Sequence, residues 1–349
     1  MTEQNLFAQQ EANKRKSAWL VAGFVLFFAW IGFGGDLAFF LWTRDLPARH
    51  YHHVVPFIGL AACLLSAGTA RYAWLNGAKR VLDATGAQEL ITPATPELKR
   101  LDNVVEEMAI AAGLPKPKIW IVPDADPNAF ATGRDPSTAH IAVTEGLLQR
   151  LDRDELQAVI AHEMSHIRNY DIRLMTLLAA MVGAVALMSD VMRQFLRFGG
   201  QVGGRGGLGG RGGGRGKGNP LALVVLVLWL LSLIVAPLVT TLLSMAVSRK
   251  REYLADASGA QLTRNPLALA EALEKIDAAT EATKSIARGA AHLCIVDPGE
   301  RKLAEREGVL GDLFASHPPM RLRLARLRGM AYAAEKRGGA LPDAADVAG

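Results

Sequence analysis

Residues 151–171, LDRDELQAVIAHEMSHIRNYD, decide both the fold class and the chemistry predicted for this chain. Asp152 followed three residues later by Glu155 predicts a capping box at the start of a helix. Apolar residues then recur at helical spacing, at Leu156, Val159, Ile160, Met164 and Ile167. His162 and His166 are four residues apart, so both imidazoles project from one helix face and can bind one Zn²⁺.

Glu163 follows the first histidine directly, and there its carboxylate can reach a water molecule in the metal site. Zinc activates water and polarises a substrate carbonyl, and a neighbouring carboxylate can accept the proton and pass it to the leaving amine. The composition of the 349 residues gives about 0.01 His-Glu-x-x-His matches by chance. The alternative is a pair of helix histidines beside a surface glutamate.

A catalytic zinc site needs three protein ligands and one open position. The segment SRKREYLADASGA, residues 248–260, offers Glu252, with Asp256 four residues later on the same helix face. Glu252 would complete a set of two histidines and one glutamate around one Zn²⁺ per chain. Asp256 would orient an imidazole through its free N–H. Taken alone, however, Glu252 is typical of a solvated helix glutamate.

Membrane insertion is predicted from the composition, because 50% of the residues are hydrophobic. The uncharged stretches are 18–35, 54–70, 174–189 and 221–247. A spanning helix needs about 20 apolar residues, so the fourth stretch is long enough and the first is close. The first lacks a cleavage pattern and predicts an uncleaved anchor. Alternatively, the short third stretch is a buried helix of a soluble protein.

The uncharged stretches predict an integral membrane protein. The polar blocks between them predict an α+β, mainly helical fold. PELKRLDNVVEEMAIAAGLP has helical spacing, and KIWIV and AHIAV read as strands of a small sheet. The predicted segments are a cytoplasmic N-terminal segment (1–17), transmembrane helices (18–42, 51–70 and 221–247), a transmembrane or re-entrant helix (172–192), a Gly/Arg-rich loop (193–220), the two parts of one catalytic domain (71–171 and 248–330) and a disordered tail (331–349).

The topology follows from the metal site, because His166 and Glu252 must lie on the same side of the membrane. The chain between them therefore crosses an even number of times. Positive flanks at 14–16, 71–80 and 249–251 predict that this side is the cytoplasm. If both intervening stretches span, the Gly/Arg-rich loop lies outside, against the positive-inside rule. The alternative is a re-entrant hairpin that keeps the loop on the cytoplasmic side.

Several motifs together resemble one family over about residues 18–328. They are PNAFATGR, LLQRLDRDELQAVIAHEMSHIRNYD, SRKREYLADASGA, NPLALAEALEKI and LFASHPPMRLRLARL. They occur in the order seen in HtpX-type membrane zinc endopeptidases, and the chain resembles the CAAX prenyl proteases more distantly. The resemblance implies a zincin-like fold, with His162, His166 and Glu252 as zinc ligands and Glu163 as the base. It also implies an ATP-independent endopeptidase of the bacterial inner membrane that removes misfolded or damaged membrane proteins.

Two further motifs take roles only from this resemblance. Residues 128–133 match an edge strand beside the zinc, so Asn128, Ala129 and Phe130 are expected to pair with substrate backbone. An ordinary turn after Pro127 fits the same residues. His317 and Arg323 are expected to approach the metal and to stabilise a developing oxyanion. The alternative there is a helix start at Pro318 followed by surface arginines.

The composition of the Gly/Arg-rich loop suggests an alternative function of another class, that of a membrane-tethered RNA-binding protein. Residues 199–220 hold thirteen glycines and four cations but no aromatic residue that could stack on a base. Four cations alone give weak, salt-sensitive binding. The expected partners are therefore protein or peptide substrates and the lipid bilayer, without nucleic acid. A processing peptidase like the CAAX prenyl proteases is a second alternative.

Overall fold

The computed structural model describes residues 3–43, 54–181, 249–279 and 318–336. It also describes shorter segments at 223–225, 227–229, 231, 283, 285–286, 293–296, 338 and 341–342. The chain divides into two compact units. One unit, here called the sheet unit, combines Met1–Ala18, Asn76–Ala180 and Leu243–Gly349. The other, here called the apolar unit, combines Trp19–Leu75 and Met181–Leu242.

Two long helices open the chain, α1 at Glu3–Thr43 and α2 at Phe57–Ala84. Within them, Gln10–Leu41 and Phe57–Ala84 are long and apolar enough to cross a membrane. Only 28% and 22% of their most apolar windows are buried in the protein. These helices contain the spans predicted at 18–42 and, from residue 57 onward, at 51–70. The span predicted at 221–247 and the loop predicted at 193–220 lie almost wholly outside the described residues.

Small residues and one carboxylate organise the apolar unit. A Cβ atom on Gly32 would lie 2.6 Å from the Ala62 Cβ and 2.7 Å from the Gly59 Cα, so glycine permits α1 and α2 to touch. Asp36 is 3% exposed, and its Oδ2 accepts a hydrogen bond of 2.6 Å from the Gly59 N–H. A carboxylate at this position satisfies the free N–H groups at the start of α2.

The sheet unit holds a four-stranded mixed sheet of order β1-β2-β4-β3. The strands are β1 (Gln88–Glu89), β2 (Lys118–Val122), β3 (Ala129–Thr132) and β4 (His140–Thr144). β2 and β4 are parallel, and the other pairs are antiparallel. The strands predicted from KIWIV and AHIAV are confirmed as β2 and β4. β3 lies at the edge of the sheet, as the resemblance implied.

Helices cover the sheet and build the core. Their bounds are α3 (Pro96–Ala112), α4 (Glu145–Arg150), α5 (Arg153–Arg168), α6 (171–181), α7 (Arg249–Thr263), α8 (Pro266–Asp277) and α9 (Met320–Lys336). α3 ends at Gly113, whose φ of 68° is the left-handed conformation of a helix C-cap. The mainly helical α+β fold predicted from the sequence is confirmed.

Residues 172–180, the first part of the transmembrane or re-entrant helix predicted at 172–192, belong to the sheet unit. In α6, Thr176 is 4% exposed, and its hydroxyl lies 2.8 Å from the Thr132 hydroxyl of β3. The same Oγ1 accepts a hydrogen bond of 3.0 Å from the Gly133 N–H. These contacts make the first part of α6 a support for the edge strand. Residues 182–192 of the predicted helix lie beyond the described range.

The C-terminal residues 331–349 are not uniformly a disordered tail, and this prediction is wrong for residues 331–336. α9 continues through them to Lys336, whose ammonium lies 4.7 Å from the centre of the Tyr332 ring. The segment is rich in alanine, which favours helix, and the Lys336 and Tyr332 side chains are neighbours at i and i+4. Further along, the Pro342 carbonyl accepts a hydrogen bond of 2.9 Å from Gln261.

Candidate metal centre

α5 carries the His-Glu-x-x-His motif into the core of the sheet unit. The capping box predicted at its start is confirmed, with Asp152 and Glu155 bonding each other's backbone N–H groups. His162, Glu163 and His166 are respectively 0%, 1% and 4% exposed. α7 approaches closely through Gly259, where a Cβ atom would lie 3.0 Å from the His162 backbone nitrogen. Glycine at this position therefore permits the two helices to share one site.

The structure brings together the three predicted metal ligands, His162, His166 and Glu252, whose ligand atoms all lie within 4.8 Å of one another. The two imidazole Nε2 atoms are 3.2 Å apart. The Glu252 Oε2 lies 3.7 Å from Nε2 of His162, and its Oε1 lies 3.6 Å from Nε2 of His166. Zn–N bonds of about 2.0–2.1 Å place tetrahedral ligand atoms about 3.3 Å apart. The spacing therefore suits one Zn²⁺.

The outer nitrogens of both imidazoles face carboxylates. Nδ1 of His162 lies 3.0 Å from Oδ1 of Asp256, and Nδ1 of His166 lies 3.1 Å from Oδ2 of Asp171. A carboxylate at this position holds the proton on Nδ1 and directs the Nε2 lone pair into the site. Two lone pairs and the Glu252 carboxylate then converge on one point. Such a cluster favours a bound positive charge, either a proton on an imidazole or a metal ion, so the donor set fits a metal.

Buried charged groups around the centre shift the pKa values of their neighbours. Burial disfavours the charged form of His166, but Glu252 and Asp171 outweigh this effect and raise the pKa of His166 to about 9. Burial would raise the pKa of Asp256, but the Arg323 guanidinium and His162 lower it to about 2. The Asp256 carboxyl therefore stays ionised at neutral pH, and the acidic groups around His166 favour a positive charge at this centre.

Glu163 lies beside the three ligands without belonging to their set. Burial raises the pKa of its carboxyl, against the lowering effect of the neighbouring histidines. The backbone N–H of Ala131 in β3 forms a hydrogen bond to this carboxyl group. The other oxygen, Oε1, has no hydrogen-bond partner among the described residues. An unpartnered buried oxygen is costly in protein alone, and here it is free to bind a water molecule of the site.

Arg323 reaches the centre through Asp256 and is 1% exposed, so it is not a surface arginine. Its Nε and Nη2 donate to the two Asp256 oxygens at 2.9 and 2.7 Å. Its Nη1 donates to the Ile295 carbonyl at 2.7 Å. The guanidinium therefore holds the carboxylate that orients His162. His317, the other residue expected near the metal, lies outside the described residues.

The expected substrate strand, Asn128 to Phe130, meets another part of this chain along its outer edge. The Ile295 N–H donates to the Ala129 carbonyl at 2.9 Å, and the Asn128 side chain donates to the Val296 carbonyl at 2.8 Å. Phe130 and Cys294 form an antiparallel bridge. A substrate strand that paired with Ala129 and Phe130 would have to displace residues 293–296.

Two residues of the site were missed in the sequence. Asp171 follows the motif helix by only three residues, and an acidic residue just after two metal-ligating histidines was a usable signal. Asn13 reaches the same carboxylate from the N-terminal helix, through a hydrogen bond of 2.7 Å to Asp171 Oδ1. The two residues are 158 positions apart in the sequence, and no local pattern connects them.

Two histidines and a glutamate around one cation position, with a buried glutamate beside them, define a metallopeptidase site. The family model for Peptidase family M48 matches residues 96–331. The chain therefore belongs to peptidase family M48. Together with the two apolar helices, this makes the protein a membrane metalloprotease.

Curated relatives resemble the chain over nearly its full length. A protein named Protease HtpX homolog from Caldanaerobacter subterraneus subsp. tengcongensis is 39% identical over 334 residues, covering 95% of this chain and 99% of the relative. A protein of the same name from Listeria monocytogenes serotype 4b is 39% identical over 325 residues, covering 93% and 100%. The HtpX-type resemblance seen in the motifs is thereby confirmed.

Among solved structures, the crystal structure of S. mikatae Ste24p is similar, with a TM-score of 0.42 and 19% sequence identity. The similarity covers 93% of this chain and 67% of Ste24p.

Proposed function

We propose that this protein is a zinc-dependent, membrane-anchored endopeptidase that hydrolyses peptide bonds of misfolded or damaged membrane proteins. The observation that carries the zinc proposal is the convergence of two imidazole Nε2 atoms, 3.2 Å apart, with the Glu252 carboxylate. The substrate class rests on the HtpX-type resemblance of the motifs.

The chain supplies each group that hydrolysis requires. His162, His166 and Glu252 would hold the zinc, which supplies Lewis-acid polarisation of the substrate carbonyl and an acidified water when bound. Glu163 accepts a proton from the attacking water at its carboxylate and passes it to the nitrogen of the leaving amine. Burial raises the Glu163 pKa, which suits a group that must hold a proton between these two events. A divalent cation nearby favours the carboxylate form before the reaction.

The carboxylates around the ligands act through the imidazoles. Asp256 and Asp171 hold His162 and His166 in the orientation that exposes Nε2 to the metal. Arg323 holds Asp256, and its donors to Asp256 and Ile295 support a positioning role. Direct stabilisation of an oxyanion by Arg323 or His317 is a competing role, and the two are separated by experiment below.

Metal removal tests the proposal. The full-length protein in detergent is expected to hold about one zinc per chain and to cleave an unfolded model protein. Chelation should reduce cleavage to the level of a blank, and zinc should restore it. The measurement pairs elemental analysis with gel-based cleavage. Cleavage that persists in zinc-free protein would contradict the proposal.

A prenylated peptide with a C-terminal CAAX sequence separates the two peptidase functions. The endopeptidase proposal expects cleavage of the unfolded protein at many sites and slow or absent cleavage of the CAAX peptide. Efficient cleavage of that peptide, with the unfolded protein left intact, would favour the processing function instead.

We further propose that the sheet unit faces the cytoplasm of a bacterial cell in a multi-pass inner-membrane protein. The positive flanks at 14–16, 71–80 and 249–251 support this orientation. If 172–192 and 221–247 both cross, then the loop at 193–220 lies outside.

Thiol labelling in intact cells tests the orientation. In a protein whose Cys63 and Cys294 are replaced by alanine and which still cleaves substrate, a cysteine introduced at Gly206 should react with an impermeant reagent. A cysteine introduced at the exposed Gln149 of α4 should react only after permeabilisation. Labelling of the Gln149 site in intact cells would reverse the proposed orientation. Protection of both sites in intact cells, with labelling of both after permeabilisation, would favour the re-entrant hairpin.

A further inference from the structure

The turn after the motif helix places Asp171 beside His166. Asn169 caps the end of α5, and Tyr170 then adopts φ 58°, the left-handed conformation, before α6 begins. A residue other than glycine in this conformation is strained by about 1–3 kcal/mol. The turn therefore needs contacts from elsewhere in the protein to hold the Asp171 carboxylate 3.1 Å from the imidazole.

Those contacts come from the first helix of the chain. Asn13 is 2% exposed, and its amide donates to the Asn169 carbonyl at 2.9 Å and to Oδ1 of Asp171 at 2.7 Å. One hydrogen bond fixes the backbone of the turn, and the other fixes the carboxylate. The Lys14 ammonium also lies 4.9 Å from the centre of the Tyr170 ring.

The two oxygens of Asp171 thus have different partners. Oδ2 faces the Nδ1 atom of His166, and Oδ1 accepts from Asn13. The nearest nitrogen of Arg251 lies 3.7 Å from Oδ1, which is too far for a hydrogen bond. Rotation of the carboxylate would break the Asn13 bond and the His166 bond together. The amide of Asn13 therefore restrains the imidazole through Asp171.

We propose that Asn13 is a positioning residue for the metal ligand His166, so that the segment before the first apolar stretch completes the metal centre. The arrangement parallels the other side of the site, where Arg323 holds Asp256 against His162. The proposal rests on the zinc-dependent function proposed above. It adds that residues before the membrane anchor set the zinc affinity.

Zinc release to an excess of a chromogenic chelator tests this inference on the full-length protein in detergent. Groups that orient a ligating histidine change metal affinity by about 10- to 100-fold, and Asn13 acts one step further out, so Asn13→Ala should release zinc about 3- to 10-fold faster. Asp171→Asn should have the larger effect. In the Asp171→Asn background, Asn13→Ala should add nothing, because the two act in one chain of contacts.

Gln10 supplies the matched control. It lies on the same helix and donates to the Arg168 carbonyl at 2.8 Å, so it ties α1 to the end of α5 without touching Asp171. Gln10→Ala should release zinc at the wild-type rate. Asn13→Asp keeps the side-chain shape but opposes Asp171 with a second acidic group, so it should release zinc at least as fast as Asn13→Ala.

Visible absorption of the cobalt-substituted protein adds a readout of ligand geometry. The bands should shift in Asn13→Ala and remain unchanged in Gln10→Ala. Wild-type release rates in Asn13→Ala, or equal acceleration in both variants, would overturn the inference while leaving the zinc-dependent function intact. A wild-type protein that binds no zinc would overturn both.

Discussion

Glu163→Gln is expected to leave the zinc content unchanged and to abolish nearly all cleavage. General acid–base catalysis contributes about 10²- to 10⁴-fold, so kcat/KM should fall by that factor. This corresponds to about 3 to 5 kcal/mol of transition-state stabilisation. The zinc should remain because Glu163 lies outside the group of three converging ligands. An amide keeps the shape of the side chain but cannot accept the proton of the attacking water.

The apparent melting temperature of Glu163→Gln shows whether the variant is still correctly folded. Burial already raises the pKa of Glu163, so a neutral amide of the same shape should not lower the apparent melting temperature. Asp154→Asn is the matched control, because Asp154 is an exposed carboxylate in the first turn of the same helix. It should cleave like the wild type. Comparable activity in Glu163→Gln and wild type would remove the general base from the proposed mechanism.

Removal of Arg323 is expected to destabilise the sheet unit and to loosen the metal. Arg323→Met leaves the Asp256 carboxylate buried without its bidentate partner. Breaking a buried pair in this way costs about 3–5 kcal/mol. The apparent melting temperature should fall by about 10 °C, since 1 kcal/mol corresponds to about 2–4 °C in a domain of this size. Zinc release should accelerate by about 10-fold, because Asp256 no longer holds His162 in place.

A double substitution separates two effects of losing Arg323. One is the cost of an unpaired Asp256 charge, and the other is the loss of the orientation of His162. In Arg323→Met with Asp256→Asn, no unpaired charge is left in the core, so most of the melting temperature should return. Zinc release should stay fast, because His162 still lacks its carboxylate. An Arg323 that acted directly on an oxyanion would behave differently. Its loss would lower kcat even in protein that is fully loaded with zinc, and the double substitution would not restore that kcat.

The site residues that lie close together along the chain could be predicted from the sequence, because their relative positions follow from helical spacing. Histidines four residues apart must share a face, and Glu252 and Asp256 share a face for the same reason. The capping box at Asp152 and the strands β2 and β4 followed from short-range patterns as well. Each of these predictions concerned residues that are neighbours along the chain.

The remaining contacts depend on how distant segments pack. No pattern near Asn13 indicates Asp171, and none near Ile295 indicates the edge of β3, because these contacts form only in the folded protein. The outcome at residues 331–336 has a different cause. A disordered tail was predicted there, but the helix propensity of its alanines continues α9 to Lys336.

The composition of the sheet unit has a consequence for the biosynthesis of the enzyme. The unit is assembled from three separate parts of the chain, Met1–Ala18, Asn76–Ala180 and Leu243–Gly349. Glu252 and Arg323 belong to the last part, so a nascent chain that ends before them carries the His-Glu-x-x-His helix but not the third ligand. On the proposed mechanism, we expect a nascent chain to gain proteolytic activity only after residue 252 has been synthesised.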